Sequence, residues 1–437
     1  MTLRSFLLFV LILAPAGCTR QAQRTATITT RISGGEVAPI QQDIAQRYRV
    51  AAISERRFTH EQFWRAVEPY TSSDALRTEQ VGQSILGRAI RTVTFGTGPV
   101  TVLLWSQMHG DESTATMALA DIFRFFAEAE GDPLRERLRR ELTLVFVPML
   151  NPDGAALFQR QNAIGIDVNR DARRLATPEG RTLKAVRDKV QPQFGFNLHD
   201  QNARTRAGRR GLPSGIALLA PAYDEAKNYN DVRTRARLVA ATIATILQRE
   251  IPGRIAKYDD TFNPRAFGDL MQQWGTSTVL IESGALPNDP QKQRLRALNV
   301  TAILGALDAI ATGSYRDANA DAYESLPFNA GGAFDVLVAG GQLVLPGKAP
   351  MQVDLAINYD DAVARTDGRV RDVGDLSEVI AIDTIDASGL YLHPDRSALT
   401  TTPAGPMLRL GAPAVFDLRR GAEPSSALVR RIGGDDR

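Results

Sequence analysis

The chain holds one cysteine, Cys18, among 437 residues, so no disulfide can form within it. It holds four histidines, so any histidine-based metal or acid–base site must draw on His60, His109, His199 or His393. Lysine is scarce: six of the 52 basic residues are lysine and the rest arginine, a bias spread along the whole chain that looks like coding preference. Excess charge of one sign is missing too. With 49 acidic residues the formal charge is +3, which argues against a nucleic-acid binder despite a pI near 9.0. After residue 13 no apolar run approaches the roughly 20 residues of a membrane-spanning helix. What remains, 43% hydrophobic and 23% charged residues, excludes a disordered, collagenous or coiled-coil chain. A chain this long buries a large core without a covalent staple.

The one apolar run stands at the start. Arg4 precedes Phe6–Leu13, and Ala14-Pro-Ala-Gly17 leads to Cys18. A basic residue, a short apolar run and small residues read as a secretory signal over 1–17. Ala16-Gly17-Cys18 resembles a bacterial lipobox, with Pro15 where that pattern prefers leucine. The resemblance implies a lipid on Cys18, membrane attachment, and a place in the cell envelope on the periplasmic side. Residues 18–45 then read as a polar tether rich in Thr, Arg and Gln.

From 46 to 313 short apolar runs alternate with helical stretches. Ala89–Phe95, Val100–Ser106, Leu142–Pro148, Phe194–His199, Ile216–Ala220 and Ser277–Glu282 suit strands buried on both faces. Helices are expected over about 114–129, 178–190, 223–250, 265–274 and 290–311. Thr177-Pro178 supplies an N-cap and a first-turn proline. The expected fold class is α/β, an α/β/α sandwich with a mixed, mostly parallel sheet. Past 325 the helical period disappears. Short runs divided by Gly, Pro and Asp predict a small β-rich domain over 327–426 and a frayed tail.

His109 and His199 each follow a predicted strand, and strand ends are where open α/β sheets place their sites. Glu112 lies three residues beyond His109, so one tight turn can aim an imidazole and a carboxylate at one point. His199 would add a third ligand. Two His and one Glu form a catalytic zinc set that leaves a fourth position for water.

These residues belong to a longer series: His109-Gly-Asp-Glu112, Asn151-Pro-Asp-Gly154, Gly165-Ile-Asp-Val-Asn-Arg170, Leu198-His-Asp200 and Leu280-Ile-Glu282. In order and rough spacing the series resembles the M14 zinc carboxypeptidases over about residues 60–312. The resemblance implies one zinc ion on His109, Glu112 and His199. It implies Glu282 as general base, passing a proton from water to the leaving amine, and Arg160 as the arginine that stabilises the oxyanion. Asn169 and Arg170 match the pair that grips a terminal carboxylate, a task suited to the planar guanidinium fork. Asp167 matches a carboxylate that orients the first histidine. The implied substrate is a peptide with a free carboxylate, cut at its last amide. Muropeptides or acyl-amino acids are alternatives with the same chemistry, and a non-catalytic binding lipoprotein is a third.

Departures and leftovers complete the reading. Asp111 stands where many relatives have Asn. Tyr258 is the available tyrosine before Glu282, though the intervening residues do not fix its alignment. The arginine-rich stretch Asn202–Arg210 either walls the cleft and attracts acidic substrates or is a solvated loop. His60 reads as a helix-start residue, and His393 has no histidine partner nearby. Phe334–Gly341 and Ile385–Leu390 faintly resemble the β-sandwich that flanks amidohydrolase barrels, which implies a structural or interaction module.

Overall fold

The computed structural model describes residues 37–433, so the leader and Cys18 lie outside the described residues. Residues 76–283 build an eight-stranded mixed sheet. Its strands are β1 (Leu76–Gln83), β2 (Ala89–Phe95), β3 (Val100–Ser106), β4 (Leu142–Val147), β5 (Phe194–Asp200), β6 (Ile216–Leu219), β7 (Ile255–Lys257) and β8 (Ser277–Ser283). They lie in the order β1-β2-β4-β3-β5-β8-β6-β7. The central strands β4, β3, β5 and β8 are mutually parallel, as are β6 and β7, and the remaining pairs are antiparallel. The expected α/β sandwich is therefore present.

The two-residue period explains the layers. In β3, Val102 and Leu104 enter one core while Leu103 and Trp105 enter the other. The first core packs against α1 (Val37–Arg47), α2 (His60–Thr71), α3 (Thr114–Glu128), α7 (Asp231–Glu250) and α9 (Gln293–Thr312). The second packs against α6 (Pro178–Val190) and α8 (Phe267–Gln273). α4 (Pro133–Glu141) and α5 (Pro152–Leu157) join the first core through Leu134, Leu138 and Ala155. Capping sets the helix starts. Thr59 closes a capping box with Gln62, Thr177 accepts from Gly180 N, and Asn230 accepts from Arg233 N. α9 is long and apolar enough to cross a membrane by composition alone, yet 78% of its apolar window is buried inside the protein as a core helix.

Several expectations shift. Residues 37–45, read as the end of the tether, belong to α1, where Ile44 and Ala45 pack into the first core. The helix expected from 223 starts at 231, after its Asn230 cap. β1 was not anticipated because it is a largely exposed edge strand with no apolar alternation.

Beyond 326 the chain forms a second sheet. Strands β9 (Phe334–Leu343), β10 (Met351–Asp361), β11 (Thr366–Gly374), β13 (Tyr391–Pro394), β14 (Phe416–Arg419) and β15 (Leu428–Ile432) run in the order β11-β10-β9-β13-β14-β15. β12 (Ala381–Asp386) lies parallel to β9. The break expected between Val338 and Gln342 is a bulge inside one strand, with Gly340 at φ +72°. Residues 428–432, read as a frayed tail, pair with β14.

The arginine-rich loop fastens this sheet to the first region. Arg206–Ala207 pairs with Asn329–Ala330, and Arg206 donates to Ala381 O. Arg204 donates to Asp335 Oδ2 through two nitrogens, at 3.0 and 2.8 Å, and to Tyr359 O. Asp335 is 6% exposed at its side chain. Asp335→Ala therefore strands a charge and is expected to cost about 3 kcal/mol, read as a lowered urea midpoint.

Candidate metal-dependent active site

Parallel β3, β5 and β8 end on one side of the sheet, so the turn after β3, the end of β5 and the end of β8 meet. In β5 and β8 the period places Asn197 and His199 on the face of Leu280 and Glu282, opposite Phe196, Leu198, Val279 and Ile281, which fill the first core. His199 and Glu282 are direct register partners. The tight turn Met108–Ser113 brings His109 and Glu112 to the same point, and Gly110 lies flush against the Gly154 backbone, leaving no room for a Cβ.

His109, Glu112 and His199 are buried, with ligand-type atoms all within 4.8 Å of one another. His109 Nδ1 lies 2.7 Å from Glu112 Oε1, and His199 Nδ1 lies 2.6 Å from Oε2. The two Nδ1 atoms approach to 3.2 Å. Two imidazole nitrogens and a carboxylate converging from two chain segments match the donor chemistry of a zinc site. Asp167 Oδ1, 2.9 Å from His109 Nε2, supplies the outer carboxylate that fixes a ligating ring.

The electrostatics follow from this packing. Burial would lower the His109 pKa, but the Glu112 charge and the bonds to Asp167 and Glu112 raise it to about 9. Burial keeps His199 below its ordinary value against the pull of Glu112. The two imidazoles hold Glu112 well under the carboxylate range despite its burial. Glu282 is pushed well above that range by burial and by the Glu112 charge.

Residues 61–207 match the family model Peptidase_M14, zinc carboxypeptidase. That region is similar to the M14 peptidases. A probable carboxypeptidase 2 from Trichophyton verrucosum is 27% identical over 130 residues, 29% of this chain and 24% of the relative. Carboxypeptidase 2 from Trichophyton rubrum is 28% identical over 131 residues, 29% of this chain and 23% of its own. The chain thus spans about a quarter of the length of these curated relatives. Among solved structures, a metallo-carboxypeptidase from Burkholderia cenocepacia is 19% identical, with a TM-score of 0.46 over 58% of this chain and 70% of that one.

The His109–Glu112–His199 cluster opens into a cleft of about 540 Å³. Arg160, Asn169, Arg170 and Glu282 all line it. Arg160 Nη1 sits 3.1 Å from Glu112 Oε1, while Nε and Nη2 hold Asp167 Oδ2 at 3.0 Å. Asn169 Oδ1 accepts from Phe267 N at 2.9 Å, which leaves its amide hydrogens for a ligand. Arg170 donates to Asn169 O and has no carboxylate within ion-pair distance among the described residues. Tyr258 also reaches the cleft, and the Glu282 charge together with burial pushes its hydroxyl up to about 12.

Other residues in the cleft escaped the sequence. Asn197 lines it with Oδ1 buried and without a hydrogen-bond partner among the described residues. Its place two residues before His199 in a strand was the available signal. Asp269, in the first turn of α8, lines it as well, and burial raises its pKa to about 7. No sequence pattern marks it. Leu219, Pro221, Gly268 and Leu280 add apolar wall. Gln201, Asn202 and Thr205 wall the cleft, but Arg204 and Arg206 of the same loop are spent on the second sheet rather than on substrate. His60 starts α2 and contacts Ala89 O, and His393 contacts Gly421 O, so both stand apart from the cluster.

Proposed function

We propose that the protein is a zinc metallopeptidase of the carboxypeptidase type, removing the last residue of a peptide. The observation that carries this reading is one cleft lined by His109, Glu112, His199, Glu282, Arg160, Asn169 and Arg170. Zinc held by His109, Glu112 and His199 would supply Lewis acidity, which brings the pKa of water from 15.7 toward about 7. The rest is the work of the chain. Arg170 and the Asn169 amide take the terminal carboxylate, placing the last amide between Arg160 and Glu282. Glu282 accepts a proton from the attacking water and returns it to the leaving amine. Its raised pKa suits a group that must both take and give a proton. Arg160 donates to the oxygen that gains charge.

The same cleft suggests the residue removed. Asn197 Oδ1 and the Asp269 carboxylate are both acceptors, and Leu219, Pro221 and Leu280 offer apolar surface for an alkyl stem. We infer a preference for a C-terminal side chain with a cationic, donor-rich head. The test is mass spectrometry of a mixed peptide and muropeptide pool. Loss of single C-terminal lysine or arginine supports the reading. Cleavage only at muropeptide linkages replaces it with a cell-wall amidase, and an untouched pool with bound zinc replaces it with a binding protein.

We also propose that Cys18 carries a lipid and anchors the protein to an envelope membrane. The support is the leader sequence alone. Cys18→Ser is expected to move the protein from the membrane pellet to the soluble fraction. An unchanged pellet would remove the anchor.

A further inference from the structure

Among the described residues Lys292 is the buried lysine, and it lies beside the cluster. Its side chain is 5% exposed, and Nζ lies 2.9 Å from Asp200 Oδ2 and 3.4 Å from Ser283 O. Asp200 follows His199 in β5, and Ser283 follows Glu282 in β8, so one ammonium joins the residues next to a metal ligand and next to the base. The two strands are in register there, His199 facing Glu282 and Asp200 facing Ser283. Asp200 spreads the tie further. Its Oδ2 accepts from Thr114 Oγ1 at 2.6 Å, and its backbone N donates to Glu112 Oε2 at 3.1 Å.

The position is a poor one for a lysine on every local ground. Its φ of +52° is left-handed, where a side chain is strained and glycine or asparagine is at home. It caps the start of α9, the positive end of a helix dipole. Its charge is out of water, and a buried ion pair is commonly no more stabilising than apolar residues of the same size. Local rules broken together in this way mark a functional demand more often than a structural one. We infer that Lys292 is a positioning residue: through Asp200 and Ser283 O it holds the ends of β5 and β8, and so His199, Glu112 and Glu282, in the geometry the metal site needs. The activity part of this inference rests on the peptidase reading above, whereas the metal-binding part does not.

Lys292→Met alone would leave Asp200 buried without its cation, so the informative variant removes both charges: Asp200→Asn with Lys292→Met, in the full chain. Zinc affinity is measured by competition with a chromophoric chelator, and kcat, KM and the urea midpoint of the metal-free protein on the same samples. The expected result is a 10–100-fold loss in zinc affinity and a comparable fall in kcat, with KM and the midpoint unchanged. Wild-type zinc affinity and kcat in the double variant would overturn the inference. So would a lowered midpoint with KM raised alongside, which describes a structural pair. If the wild-type protein binds zinc but cuts no peptide, the peptidase reading fails while the affinity comparison still decides the role of Lys292.

Discussion

Glu282→Gln protein is expected to bind zinc as the wild type does and to hydrolyse peptides about 10²–10⁴-fold more slowly. Glutamine keeps the volume and one acceptor oxygen but cannot accept the proton of the attacking water. His109, Glu112 and His199 are untouched, so a chelator titration separates loss of the base from loss of the metal. The fold should not suffer. Glu282 is 8% exposed and its ionised form is disfavoured by burial and by Glu112, so a neutral amide of the same size suits the site. Wild-type kcat in this variant would end the role proposed for Glu282, whatever the substrate.

Asp269→Asn is expected to lose the preference for C-terminal lysine or arginine and to gain stability at the same time. The carboxyl has a pKa of about 7 in the fold against 3.8 for an unperturbed aspartate. A raised acid pKa means that the unfolded chain releases its proton first. The fold carries no penalty below pH 3.8, loses stability progressively as pH rises toward 7, and carries the full penalty above it. A gap of this size corresponds to up to about 4 kcal/mol at pH 8. Asparagine removes that penalty and keeps the acceptor for Asn263 N, 2.8 Å away in the wild type. Urea unfolding at pH 8 and pH 4 should therefore show a gain at the first and none at the second. The more stable variant cannot be dismissed as misfolded when its hydrolysis of C-terminal lysine is measured beside C-terminal leucine. An unchanged ratio of the two rates would remove Asp269 from substrate selection.

The central strands were legible because parallel strands buried on both faces leave near-continuous apolar runs, and β2, β3 and β8 fall within a residue of the segments expected from sequence. Edge elements were not. β1 has an exposed face and no alternation, and α4 is so rich in charge that its apolar positions, Leu134 and Leu138, give little period. In the second sheet the Gly340-Gly341 pair reads as a break, although the chain passes through it as a bulge in one strand. The metal cluster was legible because its members are rare residue types at strand ends. Asp269 and Asn197 are common types in unremarkable surroundings, and Lys292, one of six lysines, carries no motif; what sets each apart is burial without an adequate partner or at a strained position.

The sequence points to the groups that form the cluster, because four histidines leave few choices, two of them follow predicted strands, and the motif series around them resembles a known family. It also specifies the layered sheet, through short apolar runs that alternate with helical stretches. It does not specify which arginines face the cleft. Arg204 and Arg206 lie closer in sequence to His199 than Arg160 or Arg170, yet folding turns them onto Asp335 and Ala381 of the second sheet, while Arg160 and Arg170 come into the cleft. Charge acts through distance in space. A carboxylate 131 residues away in sequence, brought within 2.8 Å, decides the use of an arginine more strongly than any neighbour along the chain.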